Sequence, residues 1–275
     1  MSKILVPVDF SQRSEYAVKL AAKMGRKTDC TVYLLHMVEL PSGIVDMGAG
    51  SNFSIPESMM YLRKVKEKLM ALKEKYFKEG CAVKHAIRFQ HPYEGIRDYA
   101  KKINADLIVM GSQGLSDFEE MIIGSNTEKV VRTSDIPVIV VKKDAEEFKL
   151  KHLVFASDFK ADNKESFQKF VNFAKLFKSK IHLLKVNTIS KFESSSVTKQ
   201  KIKDFINGLE LPKNTINVYN DTSVVNGITN FSREIDADLI GLTTHGRSGL
   251  SNLFNGSIAK SVSKNVLRPV ITFKL

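Results

Sequence analysis

The feature that most constrains this chain is that much of it occurs twice. ADLIVMGSQG, beginning at Ala105, realigns on ADLIGLTTHG, beginning at Ala237, and IPVIVVKK from Ile136 realigns on RPVITFKL from Arg268, both 132 residues further on. Near the start, ILVPVDF from Ile4 realigns on LVFASDF from Leu153, 149 residues further on. Self-similarity at two such offsets is the mark of a tandem duplication. The offset shrinks because the first copy is longer, chiefly in the Gly/Ser-rich segment 41–57. The expected organisation is a first domain at 1–143, a short polar linker at 144–150 and a second domain at 151–275.

Within each copy, short apolar runs alternate with helical patterns, which is the signature of βαβ units and of a parallel sheet covered on both faces. In the first copy, strands are expected at 4–8, 31–37, 82–89, 107–111 and 138–142, and helices at 11–27, 58–77, 92–103 and 126–133. Pro92 suits a first helical turn, and Ser125 with Glu128 reads as a capping box. In the second copy, strands are expected at 152–157, 180–186, 216–219, 239–243 and 270–274, with a capping box at Asp162 and Glu165. The fold class is therefore α/β, two repeats of a five-stranded parallel-sheet, Rossmann-like domain.

Composition removes several alternatives. The two cysteines, Cys30 and Cys81, are too few for a disulfide framework and lack the paired spacing of a zinc site, so a reducing cytoplasm is the expected compartment. The six histidines show no i, i+4 pair. No run approaches 18 apolar residues, and the N-terminus has neither a basic region nor a cleavage site, which argues against membrane spanning and secretion. The net charge of +12 is lysine-dominated and spread along the chain, with basic runs such as Arg63, Lys64, Lys66, Lys68, Lys73, Lys75 and Lys78 interrupted by Glu67, Glu74 and Glu79. That reads as solvated helix surface rather than a nucleic-acid footprint.

Parallel α/β sheets bind ligands at the carboxyl ends of their strands. In the first copy, Asp9 follows the first strand, and the fourth is followed by GSQGLSDFEEMIIGSNTEK. Gly111, Gly114 and Gly124 are there spaced G-x2-G-x9-G and followed by Ser125. Glycines let backbone N–H groups approach an anion, and the helix after them presents its positive end, so the segment suits phosphates. It is neither a Walker A sequence nor the first-strand G-x-G-x-x-G. Taken singly, Asp9 also reads as a turn residue ahead of a Ser11 cap, and Ser125 as a cap alone.

The repeat, the placement of Asp9 and the G-x2-G-x9-G-S segment together resemble the universal stress protein family in its tandem form. The resemblance covers nearly the whole chain and implies an adenine nucleotide alpha hydrolase-like fold and ATP binding, with magnesium or manganese held largely by phosphate oxygens and water. Carried onto this sequence, it sets Asp9 beside adenine and ribose with backbone around Pro7, Val8 and Met37, and Met110 and Gly111 flanking the nucleoside. Gly114, Gly124, Ser125, Asn126 and Thr127 would contact ribose and phosphates. It also implies that the two domains pair through their last strands, with a further homo-oligomer open.

In the second copy, Thr243 stands in place of Gly111, while Gly246, Gly256, Ser257 and Asp158 keep their places. Threonine resists positive φ and adds bulk, so this site is expected to bind nucleotide weakly or to take something else, with Arg247 and Lys260 available to an anion. Three functions follow: an ATP-dependent stress-response regulator or protective factor, a slow ATPase, or a nucleotide-independent interaction module. No residue of the glycine segment is an evident general base, so no catalytic residue is assigned.

Overall fold

A computed structural model describes residues 1–39, 55–77, 80–112, 124–144, 149–244 and 268–275. The first repeat runs β1 (Lys3–Pro7), α1 (Gln12–Thr28), β2 (Thr31–Val38), α2 (Ile55–Tyr76), β3 (Val83–Phe89), α3 (Pro92–Lys102), β4 (Leu107–Gly111), α4 (Ser125–Thr133) and β5 (Val138–Val141). The second runs β6 (His152–Ala156), α5 (Lys164–Leu176), β7 (Lys180–Asn187), α6 (Ser195–Ile206), β8 (Asn214–Asn220), α7 (Val224–Glu234), β9 (Leu239–Thr244) and β10 (Val270–Lys274). The expected strands are all present, within one or two residues at most ends. The third strand of the second repeat is longer than its apolar run, because Asn214 and Asn220 still pair with β7.

All ten described strands form one sheet in the order β3-β2-β1-β4-β5-β10-β9-β6-β7-β8. Each repeat is parallel, and the two meet where β5 and β10 pair antiparallel, with Ile139 opposite Ile271. Both isoleucines are fully buried. Alternation along the strands sorts side chains between faces: Leu107 and Val109 enter a core under α1, α2, α5 and α6 that is continuous across both repeats, whereas Ile108 and Met110 enter a separate core under α3 and α4.

The duplication extends to backbone conformation. Phe10 and Phe159 have φ of 64° and 57°, Asp29 and Lys178 have 52° and 53°, and Asn104 and Asp236 have 50° and 49°. The aspartate of each ADLI segment ties down the start of its own repeat. Asp106 accepts from the N–H groups of Ser2 and Lys3 at 2.6 and 2.9 Å, and Asp238 from those of Lys151 and His152 at 2.8 and 2.9 Å. The Asp162 to Glu165 capping box does not form. Residues Ala161–Asn163 make a 3-10 turn, Asn163 at the helix start is already near-helical, and the Asp162 carboxylate accepts from the Asn163 side chain.

Candidate functional site

The strand order of the first repeat reverses between β1 and β4, which is where an open α/β sheet leaves a crevice. A cavity of about 270 Å³ lies there, lined by residues at the ends of β1, β2 and β4 and from α3 and α4. Ten of the residues marked out in the sequence line it: Pro7, Val8, Asp9, Met37, Met110, Gly111, Gly124, Ser125, Asn126 and Thr127. Gly114 lies outside the described residues. Ser14, Leu35, Pro92 and Ile96 complete the lining. The last two come from α3, whose apolar stripe reads in the sequence as core and carries no mark of a ligand face.

The turn after β1 is held by Asp9, whose Oδ1 accepts from the N–H and hydroxyl of Ser11 at 3.0 and 2.6 Å. Ser11 in turn caps α1 by accepting from the Ser14 N–H. Asp9 therefore fills its turn role with one oxygen, and its partly exposed carboxylate still lines the cavity. Val8 is more committed: its N–H donates to the Leu35 carbonyl at 2.8 Å, and its carbonyl bonds the His36 ring at 2.7 Å. Val8 thus presents mainly apolar surface. Burial pushes the His36 pKa down, against the Val8 carbonyl and the Asp9 charge, which raise it.

Two glycines set the wall spacing. A Cβ on Gly111 would stand 2.7 to 2.8 Å from the backbone of Arg13 and Ser14, so Gly111 is what lets α1 approach β4. The expectation that a positive φ is needed here is corrected: Gly111 ends a strand with no left-handed φ, and the constraint is space. A Cβ on Gly95 would lie 2.0 Å from the Met37 methyl, so this glycine seats α3 against the Met37 wall.

The Ser125 to Glu128 capping box is also corrected. Gly124 takes the N-cap position with φ −57° and ψ 143°, Ser125 is already the first helical residue, and no side chain caps the helix. The first intrahelical bond from this end runs from the Glu128 N–H to the Gly124 carbonyl at 2.9 Å. Helix geometry leaves the N–H groups of Ser125, Asn126 and Thr127 without intrahelical partners, facing the cavity end with the positive dipole behind them. Thr127 is buried and its hydroxyl donates to the Gly111 carbonyl at 3.0 Å, locking α4 onto β4. Asp9 is the one charged residue among the described lining residues. The arrangement brings together an acidic acceptor, apolar walls and the N–H donors that open α4.

The family model described as Universal stress protein family matches residues 1–142 and again 149–274. The chain belongs to the universal stress protein family. Universal stress protein MJ0577 of Methanocaldococcus jannaschii is 32% identical over 157 residues, covering 51% of this chain and 94% of the relative. Universal stress protein MJ0531 of the same organism is 30% identical over 145 residues, covering 53% of this chain and 84% of the relative. Such single-domain relatives correspond to one repeat. The crystal structure of a universal stress protein from Archaeoglobus fulgidus superposes along the whole length, covering 99% of this chain and 98% of its own with a TM-score of 0.74. At 19% identity it bears on the fold alone.

The second repeat differs at the corresponding place. Asp158 is engaged at both oxygens, Oδ1 by the Asn163 amide at 3.1 Å and Oδ2 by the Lys160 ammonium at 3.1 Å. Thr243 donates to Asn163 Oδ1. Gly246, Arg247, Gly256, Ser257 and Lys260 lie outside the described residues. Among the described residues no helix is long and apolar enough to cross a membrane.

Proposed function

We propose that this universal stress protein binds ATP in its first repeat and acts in the cytoplasm as a nucleotide-dependent regulator or protective factor in the stress response. The observation that carries the reading is the convergence, in one crevice, of the Asp9 carboxylate with the bare N–H groups at the start of α4. It coincides with the motif of the family's ATP-binding branch.

In this reading Asp9 accepts from ribose or adenine, and Pro7, Val8, Met37, Met110 and Gly111 enclose the nucleoside. Gly114, Gly124, Ser125, Asn126 and Thr127 surround ribose and phosphates, with the N–H groups of Ser125, Asn126 and Thr127 and the Ser125 hydroxyl donating, since the Thr127 hydroxyl already donates to Gly111 and the Gly124 N–H to Ser112. An accompanying magnesium or manganese ion would rest on phosphate oxygens and water, since Asp9 is the sole carboxylate among the described lining residues. Among the described lining residues no second titratable group stands there to activate water, so any turnover is expected to be slow. The working units are a domain at 1–143, a linker at 144–150 and a domain at 151–275. The pairing of β5 with β10 serves as the intramolecular counterpart of a subunit contact, and a further homo-oligomer would use other surfaces.

Protein purified without added nucleotide, denatured and its supernatant identified by mass spectrometry, is expected to release ATP. No released nucleotide, together with no heat on titration with ATP, would remove the reading.

A further inference from the structure

We propose that the second repeat carries an anion site of its own, distinct from the first repeat's cavity, that takes a soluble small molecule bearing a diphosphate group beside an apolar portion. A cavity of about 820 Å³ opens at the carboxyl ends of β6 and β7. Five lysines line it: Lys160 and Lys164 from the entry to α5, Lys185 from β7, Lys191 from the connection to α6, and Lys201 from α6. Three carboxylates, Asp158, Glu193 and Asp204, share the lining. Lys160 pairs with Asp158 and Lys201 with Glu193, while Asp204 accepts from Gln200. The side chains of Lys164, Lys185 and Lys191 make no ion pair or hydrogen bond among the described residues.

The site lies on the other face of the sheet from the face that holds the first repeat's cavity. Leu35 and Met37 of β2 line that first cavity, and their counterparts in β7 are Leu184 and Val186, which pack under α7. Lys185 alternates to the opposite face. Its counterpart in the first repeat is His36, which stacks on Phe10 at 4.7 Å between ring centroids and is buried. Ser11 and Glu15 of the first repeat likewise become Lys160 and Lys164. Three equivalent positions around one point of a shared fold have thus changed to lysine together, which scattered surface charge does not require.

Lys185 is half-buried, and its burial pushes the ammonium pKa down while Asp158 and Glu193 hold it up. An incoming anion would relieve that cost. Lysines are compact point charges that suit tetrahedral oxyanions without imposing the planar fork of arginine. The volume exceeds a lone phosphate, and the walls are aromatic: Phe159 meets Phe205 edge to face at 5.4 Å, and Phe192 at the rim is 70% exposed. A diphosphate among Lys164, Lys185 and Lys191, with an apolar portion against Phe192, satisfies both.

Calorimetric titration of the full chain with inorganic pyrophosphate at low ionic strength tests this. The pair Lys164→Gln and Lys185→Gln is expected to weaken binding about tenfold or more, as loss of charge-assisted bonds does. Lys213→Gln, at the far end of β8, controls for net charge and should change it less than about twofold. Should Lys185→Gln fail to fold, Lys164→Gln with Lys191→Gln, both exposed, carries the same expectation. Pyrophosphate binding that survives the lysine pair, that Lys213→Gln weakens equally, or that Gly114→Val with Gly124→Val abolishes instead, overturns the proposal. So does the absence of binding at millimolar pyrophosphate, or sedimentation with phosphatidylglycerol vesicles that pyrophosphate does not compete. Because the glycine pair reports on the first repeat alone, failure there and failure here are separable.

Discussion

The Thr243 hydroxyl donates to Oδ1 of Asn163 at 2.5 Å, at the point where, in the first repeat, Gly111 admits the backbone of Arg13. This bond orients Asn163 so that its amide meets Asp158, and Lys160 takes the other oxygen. In the first repeat only Oδ1 of Asp9 is used by the turn. Titration of the full chain with ATP is accordingly expected to give one tight site. Asp9→Asn keeps the turn acceptor but removes the charge, and should weaken binding about tenfold. Asp158→Asn should leave the tight site unchanged, and two equal sites would contradict the asymmetry.

Gly111→Ala is expected to destabilise the chain by about 1 to 3 kcal/mol, because its Cβ meets backbone, which cannot rotate away as a side chain can. Urea unfolding with an unchanged slope measures this. A neutral effect would show that α1 can withdraw from β4 at no cost.

Gly114→Val together with Gly124→Val is expected to abolish ATP binding by filling space the phosphates need. Gly124 has a negative φ, so valine there is tolerated by the backbone, and circular dichroism of the pair checks that the variant is folded. A folded variant that binds ATP as the parent does would place the phosphates elsewhere.

The fold was almost wholly legible, for a reason these residues make plain. Apolar runs such as 107–111 and 138–141 are buried on both faces, so their continuity survives in one dimension. Helix starts were less legible. Ser125 and Asp162 match the composition of a cap, but the neighbouring Gly124 and Asn163 fix where the backbone turns helical, and composition does not resolve a one-residue shift. At the cavity, Asp9 and Gly111 were visible because a turn and a close approach restrict residue type. Pro92 and Ile96 were not, since an apolar residue lining a cavity looks the same in sequence as one packed in a core. The role of Asp106 and Asp238 was hidden too, because their partners are backbone N–H groups more than 80 residues away in sequence.

The pairing of β5 with β10 predicts that the repeats unfold together. Ile139 and Ile271 face each other across the seam, and the core under α1 and α5 runs through both halves. Ile271→Ala should cost about 2 to 5 kcal/mol and lower a single transition seen equally by probes in either repeat. Two separated transitions in the parent would mean that the seam contributes little.

Acid should destabilise the second repeat through His182. This ring is 5% exposed, with Nδ1 bonded to the Thr215 hydroxyl at 2.9 Å and Nε2 to His152 Nδ1 at 3.1 Å. Burial, first, and then the charges of Lys180 and His152 lower its pKa from 6.5 to about 4. The unfolded chain therefore takes up a proton near pH 6.5 that the folded chain refuses until about pH 4, so unfolding is favoured increasingly across that window as pH falls. Stability is complete above pH 6.5, and the loss by pH 4 amounts to at most about 3 kcal/mol. His36, lowered by burial in the first repeat, adds a change of the same sign. Because the two second-repeat rings share one hydrogen bond, a protonated His182 must donate across it to His152 Nδ1. Glutamine at position 182 retains a donor and an acceptor without the proton. Urea midpoints for the parent and His182→Gln between pH 4 and 7 should show a shallower pH dependence in the variant, and parallel curves would assign the acid sensitivity to other groups.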